Sequence, residues 1–118
     1  MADTALFIGW GIPVRGREKA AVQVFGESVQ YWTQLQQQGQ IESFEVALLE
    51  PHGGDLSGFA MLRGTPEQLA TVHGSQEFQQ SVARAGLIVE NLGVVHANLG
   101  QALAAQMAMY QEEIAKLP

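Results

Sequence analysis

Three histidines, His52, His73 and His96, are the side chains best suited to proton transfer or metal ligation in this 118-residue chain, which has no cysteine. No local metal-ligand spacing relates them: one falls in a turn, one at a break in a helix and one on a strand. The sequence therefore offers no metal site and calls for no cofactor. His96, Glu45 and His73 are left as candidate catalytic groups. An imidazole at His96, on an alternating apolar strand, would accept a proton from a ligand or donate a hydrogen bond to it. The competing role is a histidine hydrogen-bonded at a subunit interface. Glu45 shares its parity with Arg63 on the following strand, so an ion pair competes with a carboxylate–histidine pair. His73 has a structural role open to it, satisfying carbonyls of the interrupted helix. Trp10 would either stack on a planar ligand or pack as core.

Other motifs withhold chemistry. Gly9-Trp10-Gly11 lacks the later glycine and the nearby helix start of a dinucleotide loop. His52-Gly53-Gly54-Asp55 is turn composition, and Ser75 stands in His-Gly-Ser-Gln rather than a nucleophile elbow. Twelve acidic against six basic residues give a net charge of −6, which argues against binding nucleic acid or anionic membranes. Arg15, Arg17 and Lys19 form a small basic cluster with Glu18 inside it, as at a solvated helix entrance. No apolar run is long enough to span a bilayer, and Met1-Ala2-Asp3-Thr4 does not open like a leader peptide. These features, with the absence of cysteine, point to the cytoplasm. The length suits one domain, 1–118, with a core that needs no staples.

The elements that must position these residues follow from periodicity. Ala5–Ile12 reads as a strand, Arg17–Gln38 as a helix stopped at Gly39, and Ile41–Glu50 as a second strand. Turn-rich Pro51–Asp55 then links it to a third strand, Leu56–Arg63, in a hairpin. Thr65-Pro66 with Gln68 writes a helix start as a capping box. That helix breaks at His73-Gly74-Ser75, restarts through Gln76-Glu77-Phe78 and ends near Ala85-Gly86. A fourth strand spans Leu92–Leu99. The order β-α-β-β-α-β predicts an α+β, ferredoxin-like fold with a four-stranded antiparallel sheet. A further helix, Gln101–Leu117, carries Leu103, Met107, Tyr110, Ile114 and Leu117 at heptad-like steps. It docks either on its own domain or across a subunit interface.

Two helices cover one sheet face, and the other needs a partner to hide its apolar surface. Alternation assigns Phe7, Gly9, Phe44, Val46, Leu48, Ala60, Leu62, Val95 and Ala97 to the helix side. The opposite parity gives Ile8, Trp10, Glu45, Leu49, Phe59, Met61, Arg63, Val94, His96 and Asn98. Within that set, Trp10, Glu45, Phe59, Met61, Arg63, His96 and Asn98 form the candidate ligand-binding group. Their mixture suits a small-molecule pocket or a partly wet dimer interface.

The element order and the Thr65–Phe78 segment resemble the dimeric α/β-barrel superfamily, and in particular its antibiotic-biosynthesis-monooxygenase-like branch. The similarity covers most of residues 4–99. It implies that two ferredoxin-like sheets pair face to face as a homodimeric barrel. Members of that superfamily include cofactor-free monooxygenases, haem-dependent enzymes and isomerases, and a haem-ligand role for His73 would follow only by this analogy. In the alignment set by Leu69 and Phe78, Arg63 stands where the branch often has tryptophan and Val72 where it often has histidine. His73 falls one residue late, a rotation of about 100° on a helix. Three functional readings remain open: a homodimeric protein binding a small, largely apolar or aromatic molecule, a cofactor-independent monooxygenase acting on an aromatic substrate, and a structural interaction protein without a ligand.

Overall fold

The computed structural model describes residues 3–118. Met1 and Ala2, which open the segment read against a leader peptide, lie outside the described residues. The order is β1 (Thr4–Trp10), α1 (Glu18–Gln37), β2 (Ser43–Leu48), β3 (Gly58–Gly64), α2 (Pro66–Gly74), α3 (Gln76–Gly86), β4 (Gly93–Asn98) and α4 (Gly100–Ala115). The sheet runs β2-β3-β1-β4 with every neighbouring pair antiparallel. The expected α+β arrangement is present, with β1 and β3 central. Among the described residues no helix is long and apolar enough to cross a membrane.

Local chemistry sets the helix boundaries. Ala21, Val24, Trp32 and Leu35 fall on one face of α1, which packs on the sheet. Gly39, at φ 72°, lets the chain reverse after α1, a conformation that side-chain-bearing residues resist. Thr65 and Gln68 form the predicted capping box at the start of α2. Ser75 explains the break between α2 and α3: its Oγ donates to the Val72 carbonyl at 2.7 Å and accepts from the Phe78 N–H at 3.2 Å. One hydroxyl thus closes one helix and opens the next. Gln79 Nε2 donates to the His73 carbonyl at 2.6 Å. The carbonyl-satisfying role expected of His73 is taken by Ser75 and Gln79.

Strand register fixes the two faces. Leu6 pairs with Leu62 and His96, Ile8 with Ala60 and Val94, and Trp10 with Gly58. Leu6, Ile8, Ala60 and Leu62 meet Trp32, Leu35, Leu69, Val72 and Phe78 in the core beneath the helices. For β2 and β3 the alternation reading holds. Phe44 and Val46 pack on that core, whereas Glu45, Phe59, Met61 and Arg63 have the opposite parity. The assignment for β1 and β4 is reversed. Phe7, Gly9, Val95 and Ala97, expected beneath the helices, lie on the open face, and Ile8, Trp10, Val94, His96 and Asn98 share the helix side. Both parities of β1 are apolar and each contains a fully buried residue, Ala5 on one and Leu6 on the other, so alternation inside the strand does not distinguish its faces. In β4 the polar His96 and Asn98 lie on the helix side where both remain exposed, which inverts the usual signal. Leu49 lies beyond the end of β2.

The open face is partly self-covered. Phe7 stacks on Phe59 with centroids 5.3 Å apart and planes at 26°. A Cβ on Gly9 would come within 2.8 Å of the Phe7 ring, so glycine makes room for that ring to lie across the strand.

Candidate functional site

Between the sheet and helices α1 and α3 lies a cavity of about 450 Å³. β1 contributes Ile8 and Trp10, α1 contributes Phe25 and Trp32, and α3 contributes Phe78, Val82 and Ala85. The loop between α3 and β4 supplies Ile88, Val89 and Leu92. Glycines set two of its edges. Trp10 lies against its paired residue Gly58, where a Cβ would sit 2.8 Å from the indole Nε1. Phe25 meets Trp10 edge-on at 6.1 Å. At the other edge, Gly11 N–H donates to the Glu90 carbonyl at 2.7 Å, and a Cβ on Gly11 would stand 2.8 Å from that oxygen. Glu90 N–H to Ile12 and Val14 N–H to Ile88, both 2.9 Å, extend this clasp. The sequence beyond β1 is thereby tied to the segment before β4, and Gly11, Pro13, Ile88 and Val89 line that end of the cavity.

The wall contains no ionisable residue; its polar residues among those described are Ser28, Ser57 and Ser81, with the Trp10 indole N–H. A charged guest would lose its hydration there without a counter-charge, at a cost of several kcal/mol. A neutral, largely apolar guest loses nothing comparable and meets four aromatic rings: Trp10, Phe25, Trp32 and Phe78.

The seven residues of the sequence-derived ligand group occupy three places. Trp10 alone lines the cavity. Glu45, Phe59, Met61 and Arg63 share the open face, where Arg63 donates to Glu45 Oε1 from Nη2 at 2.6 Å and from Nε at 3.0 Å. The ion pair expected from their parity is therefore formed. His96 and Asn98 stand near the C-terminal end of β4. The His96 ring lies 5.7 Å from that of His73, and His73 is edge-on to Phe78 at 5.6 Å. The Asn98 amide bonds to the Gln106 side chain of α4. Thus His73 and His96, two of the catalytic candidates, come together without Glu45. His52 organises the β2–β3 loop, its Nε2 lying 2.7 Å from the Leu56 carbonyl oxygen. The described residues contain no group of three metal-ligating side chains.

Phe25, Trp32, Phe78, Val82, Ala85 and Leu92 were not singled out as site residues by the sequence. Their spacing marks them as apolar helix or loop positions, and the same residue types build a filled core and a cavity wall. A second, more polar hollow of about 280 Å³ lies between α1 and α3, lined by Tyr31, Glu27, Glu77, Ser81 and Arg84 among others. Arg84 Nε and Glu27 Oε1 pair across it at 2.9 Å. Burial pushes the Tyr31 phenol above its ordinary pKa of 10.0; the Glu77 charge adds to the rise and a hydrogen bond with Ser75 opposes it.

No protein-family model and no curated sequence matches the chain. Solved structures do. A dimeric protein of unknown function and ferredoxin-like fold from Bacteroides fragilis superposes with a TM-score of 0.60 at 11% identity, covering 82% of this chain and 97% of that one. The chain has the ferredoxin-like fold. A protein assigned as an antibiotic biosynthesis monooxygenase from Chloroflexus aurantiacus gives a TM-score of 0.52 at 15% identity, covering 82% and 93%. SnoaB, a cofactor-independent oxygenase from Streptomyces nogalater, gives 0.53 at 13%, covering 84% and 93%. At these identities the likeness concerns the fold alone.

Proposed function

We propose that this protein is a homodimeric α/β-barrel protein that binds a small, neutral and largely apolar molecule between its sheet and helices α1 and α3. The observation carrying the binding reading is the 450 Å³ cavity with aromatic walls and no ionisable lining residue. Trp10 is the ligand-binding candidate that this placement favours. Glu45, Phe59, Met61 and Arg63 fall instead to the subunit contact: the open sheet face, with Phe7, Phe59 and Met61 only half-buried and Val95 58% exposed, suits face-to-face pairing with a second sheet. The dimeric description of the Bacteroides fragilis protein is in keeping with that assembly.

The chain's two tryptophans, Trp10 and Trp32, both line the cavity, so intrinsic fluorescence reports its occupancy. Titration with the neutral fluorophore 1-aminoanthracene is expected to quench that emission saturably. Ser81→Trp, which places bulk on the α3 wall, is expected to weaken binding at least tenfold in a folded protein. Absence of saturation, or undiminished affinity in the folded variant, would overturn the reading.

A monooxygenase reading draws on the fold shared with SnoaB. Since the cavity wall supplies no side-chain acid or base, such an activity would depend on the substrate's own reactivity. Oxygen uptake with a panel of hydroquinones tests it, and His96→Ala tests the remaining catalytic candidate on β4. Turnover that exceeds the enzyme-free rate and disappears with His96 would favour the enzyme over the binder.

A further inference from the structure

We infer that α4 is an intersubunit arm, its apolar stripe seated on a second copy of this chain; the inference extends the pairing proposed above and rests on it. α4 is rich in alanine, glutamine and methionine, so it favours helix, but its 16 residues only just exceed the length of about 12–15 below which an isolated helix is marginal in water. It has no buried residue. Leu103, Met107, Tyr110 and Ile114 on α4, with Leu117 just past its end, are 47–72% exposed and recur at steps of four, three, four and three. Among the described residues, the hydrogen bonds that fix the helix to its own domain lie at its base: the Asn98–Gln106 side-chain bond and the joint that follows β4. Beyond Gln106, no hydrogen bond among the described residues ties it to the rest of the chain.

Global dimensions carry the same message. The radius of gyration is 16.3 Å, against about 13.5 Å for a compact chain of this length. The accessible surface is 7849 Å², about 1,600 Å² more than a compact monomer of 12.8 kDa presents. Obligate dimers bury roughly 1,000–2,500 Å² per subunit, so the excess is of the size that one such interface removes. Two unpartnered apolar surfaces, the α4 stripe and the open sheet face, belong to elements joined at Asn98–Gly100. A second copy would have both surfaces as well, as a two-fold interface requires. An anionic membrane is a poorer occupant: α4 carries Glu112 and Glu113 with no basic residue, Lys116 follows directly after it, and the chain has a net charge of −6.

Sedimentation of the full chain over a dilution series, with hydrogen exchange of the α4 amides at each concentration, tests the arm. The expected result is a dimer whose α4 amides gain protection together with the dimer fraction. Met107→Glu with Ile114→Glu is expected to raise the dimer dissociation constant at least a hundredfold, while the dilute monomer unfolds as wild type does, because neither residue is buried in it. A dimer of unchanged affinity with freely exchanging α4 amides would overturn the arm and leave sheet pairing intact. A wild-type chain monomeric at every concentration would overturn both. Protection of α4 in the monomer would mean docking on its own domain, and protection of a monomer only on vesicles would mean a membrane; either outcome overturns the arm.

Discussion

The two faces of the sheet solve the same problem in different ways. Both are largely apolar, yet one is buried under helices and holds a cavity that opens to solvent beside Val22 and Leu48, whereas the other carries a stacked aromatic pair and an exposed ion pair. The covered face derives its order from intrachain geometry. Caps at Thr65 and Ser75 aim α2 and α3, Trp32 and Phe78 pack on Leu6 and Leu62, and the Gly11–Glu90 clasp closes one end. The open face has no such cover. A hollow on the first face is therefore a space that folding leaves, while exposure on the second is apolar surface that folding leaves uncovered and that the proposed sheet pairing would remove.

Replacing one aromatic on each face tests this contrast most sharply. Phe78, only 1% exposed, should cost about 3–5 kcal/mol as Phe78→Ala in denaturant unfolding at any protein concentration. Phe59→Ala removes a stacked, half-buried ring and should cost about 1 kcal/mol in dilute protein, with a larger loss at concentrations where sheets pair. Equal and concentration-independent losses would erase the distinction. Gly58→Ala should cost about 1–3 kcal/mol by crowding both the Trp10 indole and the Ala47 carbonyl, with a change in tryptophan emission as the indole shifts. An unchanged spectrum would mean that Trp10 is not seated there.

Smaller effects belong to the charged and titrating groups. The Glu45–Arg63 pair is partly solvated, and Glu45→Ala should change monomer stability by less than about 1 kcal/mol, with an effect that shrinks in salt. A larger, salt-insensitive loss would place the pair in a dry interface. Tyr31 contributes a pH dependence at the alkaline end. Its folded-state pKa is raised, so its contribution to stability is complete below pH 10.0 and is lost as pH rises from there through the folded value. Tyr31→Phe should remove that alkaline decline and leave stability at neutral pH nearly unchanged; a decline that persists in the variant would assign it to another group.

Much of the fold was legible in the sequence because its signals are local. Thr65-Pro66 and Gln68 write a capping box within four residues, Ser75 sits at the break, and β2 and β3 alternate cleanly enough to reveal their faces. The site was not legible in this way. Trp10, His96 and Asn98 were grouped with Glu45, Phe59, Met61 and Arg63 by parity, but parity within one strand says nothing of its phase relative to another strand when both sides are apolar. Only the pairing of Leu6 with Leu62 and His96 sets that phase.

What the sequence determined by itself was the set of elements, their order and their ends, since propensities, caps and turns act over a few residues. The tertiary structure decided which face of β1 and β4 meets the helices and brought His73 beside His96. It also left about 450 Å³ open among side chains that read simply as core. Those outcomes depend on register and on how volumes fit across elements far apart in the chain. An apolar residue's own code is the same whether the space beside it is filled or empty.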